Sequence, residues 1–233
     1  MKIIAIIPAR GGSKGVKDKN IRLVDGKPLI QYTIDAALES ILINKVVVDT
    51  DSDRIAEVAS SDHIEVLIRP AELALDHSSI VPVALRVLWY FAQQNEIFDA
   101  IVLLQPTSPI KTGHHIDKAI QLLFDDDDTD ATISVVAMED THPARMYHLN
   151  KQNQLIPLHQ DLETKRRQDL EPVYYRNGCI YAIKTKALLE QETFMPANKK
   201  AYIMPSNWLA NIDDERDLII AEALVKAWKE GRI

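Results

Sequence analysis

Apolar positions along this chain recur at two periods, and the two periods alternate. Residues 2–8 carry a continuous β-branched run, the pattern of a strand buried on both faces of a parallel sheet. Residues 28–40 repeat at helical spacing, with Leu29, Thr33, Ala36, Ala37 and Ser40 on one stripe and Pro28 suited to the first turn. Val46, Val47 and Val48 predict a second strand that runs into Asp49-Thr50-Asp51. Ser52 then stands as an N-cap before a short helix over 54–61. A strand at 64–68 follows, then a helix over 79–94 with Val83, Val87, Tyr90 and Phe91 turned to the core. The strand at 100–104 ends in Gln105-Pro106-Thr107-Ser108-Pro109. A helix over 113–124 runs into the solvated turn 125–128, and a strand over 130–137 comes next. Alternation of this kind predicts an α/β fold with a mostly parallel sheet. Right-handed crossovers place the loops after the strands on one edge, where ligands bind in open α/β sheets.

The pattern changes after residue 138. Residues 139–172 are polar and interrupted by Pro143, Pro157 and Pro172, which predicts a protruding loop or hairpin. Strands return at 173–175, 179–183 and 201–204. A last helix spans 214–229, with Leu218, Ala221, Val225 and Trp228 on one stripe. The whole of 1–233 reads as one domain, with 139–172 a projection from it.

Composition narrows the function. Apolar residues are 46% and charged residues 26% of the 233, the balance of a globular chain large enough to bury its own core. A single cysteine, Cys179, excludes a disulfide scaffold and fits a reducing cytoplasm. No apolar run approaches the length of a membrane span, and the run at 3–7 is too short for a signal-peptide core. The net charge of −7 excludes a nucleic-acid track. The basic residues are nonetheless concentrated. Residues 1–22 hold Lys2, Arg10, Lys14, Lys17, Lys19 and Arg22 against Asp18 alone. A basic spot on an acidic protein points to a small anionic ligand.

That spot coincides with the strongest motif, Ile7-Pro8-Ala9-Arg10-Gly11-Gly12-Ser13-Lys14-Gly15, which leads to Lys19-Asn20. Glycines free the backbone for positive φ and close approach, and successive N–H groups form an anion-binding concavity. A di- or triphosphate is the natural guest. The spacing excludes a P-loop and a dinucleotide fingerprint, so an NAD-binding enzyme is disfavoured.

The string resembles the signature of the acylneuraminate cytidylyltransferases, also called CMP-sialic acid synthetases. Further segments match that family in order: Arg69-Pro70-Ala71-Glu72-Leu73-Ala74, Leu104-Gln105-Pro106-Thr107-Ser108-Pro109, Arg167-Gln168-Asp169-Leu170, Asn177-Gly178-Cys179-Ile180-Tyr181, and Ile212-Asp213 with Asp217-Leu218. The resemblance implies a Rossmann-like nucleotidyltransferase fold. It implies Mg²⁺-dependent transfer of CMP from CTP to the anomeric hydroxyl of a nine-carbon α-keto acid sugar, and leaves open whether Mn²⁺ can replace Mg²⁺.

The family pattern also assigns roles. The nucleotide site would comprise Ala9, Arg10, Gly11, Gly12, Ser13, Lys14, Lys19, Asn20 and Ser79, with Ser78 as an alternative to Ser79. Either serine also suits the N-cap of helix 79–94. Arg10, Lys19, Gln105 and Asp213 would be catalytic. Gln105, Arg145, Arg167, Tyr181, Phe194 and Met195 would meet the sugar, with Arg145 reaching across a homodimer and Phe194-Met195 receiving an acyl group. Tyr181 equally suits simple packing. Asp213 and Asn211 would hold the metal, although asparagine stands where the family has aspartate, and Asp213 also suits an N-cap. Two alternatives remain: a 3-deoxy-manno-octulosonate cytidylyltransferase, and a homologue that binds nucleotide without catalysis.

Overall fold

The computed structural model describes residues 1–75, 78–138 and 140–233; residue 139, the first of the expected projection, lies outside them. The chain opens with β1 (Ile3–Pro8) and the glycine-rich loop. A two-residue pair, β2 (Leu23–Val24) and β3 (Lys27–Pro28), then turns through Asp25 and Gly26 at positive φ. Strict alternation follows: α1 (Leu29–Glu39), β4 (Lys45–Thr50), α2 (Asp53–Ala59), β5 (Ile64–Ile68), α3 (Ile80–Ala92) and β6 (Ala100–Leu103). Next come α4 (Gly113–Phe124), β7 (Ala131–Met138) and a small hairpin of β8 (Tyr147–Leu149) with β9 (Leu155–Pro157). The chain closes with β10 (Val173–Lys184), α5 (Thr185–Gln191), β11 (Lys199–Met204) and α6 (Glu215–Lys229).

Seven strands form the main sheet in the order β11-β7-β10-β6-β1-β4-β5. Every neighbouring pair is parallel except those of β10, which runs antiparallel to both β6 and β7. The expected α/β architecture with a mostly parallel sheet is therefore what the chain adopts. Strand alternation sorts the core. Ile3, Ala5 and Ile7 of β1 pack with Ile30 and Ile34 of α1 and with Ile116 and Ile120 of α4. Ile4 and Ile6 face the other way, against Val87 and Phe91 of α3 and Leu188 of α5. Each such side chain contributes about 1.5–3 kcal/mol on full burial. A third cluster seats α6 through Leu218, Ala221 and Val225 against Leu29, Tyr32 and Val16.

Three local features differ from the sequence pattern. The segments at 173–175 and 179–183 are one strand, interrupted by an irregularity between Arg176 and Tyr181 where Gly178 takes φ +75°. A short helix, α5, was not read from the sequence: its seven residues span only two turns, and its N-cap residue Lys184 makes no side-chain capping bond. Ser52 occupies the N-cap position of α2 without a side-chain capping bond.

The end of α1 and the start of α4 meet backbone to backbone. A Cβ on Gly113 would lie 2.5 Å from the Glu39 carbonyl carbon and the Ser40 nitrogen. Beside it the buried Asp117 carboxylate accepts from Ser40 Oγ at 2.5 Å and from the amides of Ile41 and Leu42 at 3.2 Å. Gly113→Ala should therefore lower the unfolding free energy by about 3 kcal/mol, the upper end of the cost of overpacking. Urea denaturation measures this, and an unchanged midpoint would contradict the close approach.

Candidate active site

The loops after β1, β5 and β6 and the segment before α6 converge on one cleft of about 450 Å³. It is lined by Arg10, Ser13, Lys14, Lys19, Asn20, Arg69, Gln105, Thr107, Asn211 and Asp213, among others. Among the described residues, four cations and the Asp213 carboxylate line it, in a protein whose net charge is −7. Three of the six basic residues of the sequence spot, Arg10, Lys14 and Lys19, are thus gathered onto a concave surface, the arrangement that focuses positive potential on an anion.

The glycines act differently from the expectation. Among the described residues, positive φ at glycine occurs at Gly26, Gly178 and Gly231, not in the 11–15 loop. Two loop glycines are instead needed for close approach. A Cβ on Gly15 would lie 1.8 Å from the Asp213 carbonyl oxygen, and one on Gly11 would lie 2.9 Å from Ser52 Cβ, whereas Gly12 faces open space. Asp51 accepts from the Gly11 amide at 2.7 Å, and Asn20 Nδ2 donates to the Arg10 carbonyl at 2.9 Å, so both ends of the loop are anchored.

Lys19 ties this loop to the segment before α6. Its Nζ donates to the Ile212 carbonyl at 2.6 Å and lies 3.5 Å from Asp213 Oδ1. The Ile212 amide in turn donates to the Thr107 carbonyl at 2.9 Å. Asp213 is not the cap of α6: Asp214 and Asp217 form that capping box, so the Asp213 carboxylate remains exposed beside Asn211, whose Nδ2 donates to it at 2.8 Å.

The other sequence candidates lie elsewhere. Ser79 caps α3, accepting from the Val81 amide at 3.3 Å, and does not line the cleft. Ala9 is buried and donates to the Asp49 carbonyl. Tyr181 and Phe194 are 9% and 5% exposed within the core cluster beneath α3 and α5, and Met195 packs against them. Strand alternation turns Tyr181 to that face, so packing is the role the structure gives it. Burial raises its phenol pKa. Arg145 is exposed on the turn before β8. Arg167 lines a second pocket with His142, Gln168 and Tyr174, and pairs with Asp140 at 2.9 Å.

Two cleft residues were not assigned from the sequence. Arg69 lines the wall, and Lys111 lies beneath it, 1% exposed. Lys111 Nζ donates to Thr33 Oγ1 at 2.9 Å and to the Gln105 carbonyl at 3.0 Å, fixing the turn that carries Gln105. The Lys-Thr step at 111–112 looks like an ordinary loop, and only the fold reveals its burial.

A sequence profile described as Cytidylyltransferase matches residues 4–216. The chain belongs to the cytidylyltransferase family. Among its relatives, the CMP-N,N'-diacetyllegionaminic acid synthase of Legionella pneumophila is 34% identical over 100% of both chains. The pseudaminic acid cytidylyltransferase of Campylobacter jejuni is 32% identical over 99% of each. The N-acylneuraminate cytidylyltransferase of Streptococcus agalactiae is 35% identical over 94% of this chain, which spans about half, 52%, of that protein's length. Among solved structures, a CMP:2-keto-3-deoxy-manno-octonic acid synthetase complexed with CTP superimposes with a TM-score of 0.72 at 18% identity, covering 98% of this chain and 100% of that one. The 4-diphosphocytidyl-2C-methyl-D-erythritol synthase of Anaerococcus prevotii gives 0.61 at 16% identity, covering 97% and 96%. The expected nucleotidyltransferase fold is therefore shared with other cytidylyltransferases.

Within this cytidylyltransferase fold, burial brings the Lys111 pKa down to about 8, offset in part by Cys179. The unfolded chain keeps its ordinary value near 10.5, so between these two values it binds a proton that the folded chain has lost. Stability should then rise with pH across that window. Relative to Lys111→Met, the wild type is expected to gain up to about 3 kcal/mol of unfolding free energy between pH 8 and 10.5. Urea midpoints of both proteins at pH 7.5 and 10 measure the gap, and a gap independent of pH would mean that the ammonium is not desolvated.

Proposed function

We propose that this protein transfers CMP from CTP to the anomeric hydroxyl of a nine-carbon α-keto acid sugar, of the sialic, legionaminic or pseudaminic type. The observation that carries the reading is the cleft itself: Arg10, Lys14, Lys19 and Arg69 converge there, in a chain of this family. The sugar oxygen bonds to the α-phosphorus as the bond to the β-phosphate's bridging oxygen breaks, and the hydroxyl proton passes to water. Such a displacement needs positioning and neutralisation of charge more than covalent help. Arg10 and Lys14 would hold the phosphates, and Lys19 would steady the leaving pyrophosphate. Gln105 in the cleft and Arg167 in the second pocket are the proposed sugar contacts. Relatives that match over their whole length are named for nine-carbon sugars, which favours that class over octulosonate.

Mg²⁺ is the proposed cofactor. Among the described residues no group of three His, Cys, Asp or Glu could hold a metal alone. The exposed Asp213 carboxylate and the Asn211 amide carbonyl nevertheless fit a hard ion bound mainly through phosphate oxygens and water. When bound, the ion would neutralise charge on the phosphates. Asn211→Asp should be tolerated and lower the Mg²⁺ concentration for half-maximal turnover, read from a magnesium titration. Complete loss of activity would contradict the metal assignment.

The reading includes a homodimer formed through the 139–172 projection, with Arg145 near the partner's site. Support comes from apolar side chains left open to solvent there and on β10: Leu149 and Leu155 are each 63% exposed, and Tyr174 and Tyr175 about half exposed.

Pyrophosphate release from each of the four NTPs tests the reaction, with Mg²⁺ and in turn N-acetylneuraminate, diacetyllegionaminate, pseudaminate and 3-deoxy-manno-octulosonate. Release is expected with CTP and a nine-carbon sugar only. CTP binding without release in any pair would instead support the non-catalytic homologue.

A further inference from the structure

The wall of the cleft rests on a buried ion cluster. Asp49 is the penultimate residue of β4 and is wholly buried. One of its carboxylate oxygens accepts from Arg69 Nε and the other from Arg86 Nη2. The Asp49 carbonyl also accepts from Arg69 Nη2 at 3.1 Å, and the Arg69 amide donates to the Thr50 carbonyl at 2.7 Å. Arg69 is therefore fixed at its backbone and along one edge of its guanidinium, with Nη1 the end not committed to Asp49. Overall 7% exposed, it still lines the cleft.

Two cations share this one carboxylate, Arg69 almost wholly buried and Arg86 partly so. Arg86 Nε is buried with no hydrogen-bond partner. A buried charge left in excess is unfavourable unless an acceptor completes it. Of the three residues, Arg69 is the one that lines the cleft.

We infer that Asp49 and Arg86 are positioning residues for the nucleotide: they lock Arg69 so that its uncommitted end meets an acceptor group of bound CTP, which balances the cluster's surplus positive charge. This rests on the CTP reading above. Two parts of CTP offer such acceptors, a phosphate oxygen and the cytosine carbonyl, and binding of fragments separates them.

The test uses the purified protein and direct binding of CTP, followed calorimetrically, beside steady-state kinetics. Arg86→Met leaves a one-to-one Asp49–Arg69 pair and so keeps a compact fold, checked by circular dichroism and melting. It is expected to raise the Kd and KM for CTP at least tenfold, with the sugar KM within twofold, and Arg86→Lys should recover part of the loss. A merely structural role would lower the melting temperature without separating the two KM values. Asp49→Asn should shift the same parameter in the same direction. Repeating the comparison with pyrophosphate and with cytidine assigns the acceptor: whichever fragment loses affinity in Arg86→Met carries it. A folded Arg86→Met that binds CTP as the wild type does overturns the inference alone. A wild type that binds no CTP overturns the functional reading and the inference with it.

Discussion

The cleft depends on how the backbone of Ile212 is held. Its amide is bound by the loop after β6 and its carbonyl by Lys19, while its side chain is wholly buried beneath α6. One residue thus joins three segments that are far apart in sequence. The absence of a side chain at Gly15 allows the glycine loop to lie directly on the neighbouring Asp213 carbonyl. Remove any of these contacts and Asn211 and Asp213 lose their fixed place opposite Arg10 and Lys14. The site is a set of backbones fastened together first, with charged side chains projecting from it second. Rigid first contacts of this kind are what allow charged groups to act without reorganising.

The electrostatics follow from that frame. Lys19 is drawn partly toward its anionic neighbour Asp213, and Arg69 toward its own, Asp49. Lys111 has none among the partners that bind it, only the hydroxyl of Thr33 and a carbonyl. The sheet edge therefore carries a positive field made by groups of graded availability. Exposed pairs on the periphery, such as Arg166 with Asp169, add little by comparison because solvent screens them.

Much of this was legible in the sequence, and the rest was hidden for identifiable reasons. β1, β4 and β6 announced themselves because a strand buried on both faces leaves an unbroken apolar run. The glycine loop and its cations were legible as a local string. The two halves of β10 were legible as strands, but their joining into one antiparallel strand was not, since its partners on β6 lie some eighty positions away. The pairing of Asp49 with Arg69 and Arg86 spans 20 and 37 positions, and Asp49 reads as an ordinary strand end. Tyr181 and Phe194 could be assigned to a sugar by resemblance, but which face of the sheet they share is a matter of register, which short motifs do not encode. Asp213 and Asp214 are adjacent carboxylates, and only the hydrogen bonds decide which one caps α6.

The position of β10 also bears on the order in which the molecule can assemble. It is inserted between β6, which ends at Leu103, and β7, which ends at Met138, although it is made only from Val173 onward. While the chain is being synthesised, β5, β4, β1 and β6 can pair, but β6 presents an unpaired edge until some seventy more residues have emerged. Unpaired edges of this kind are where nascent chains associate wrongly. Ile212 arrives later still, so the loops of the cleft cannot be fastened until the sheet is closed. The cleft is the last part to form, and an incomplete chain exposes a sheet edge rather than a half-built cleft.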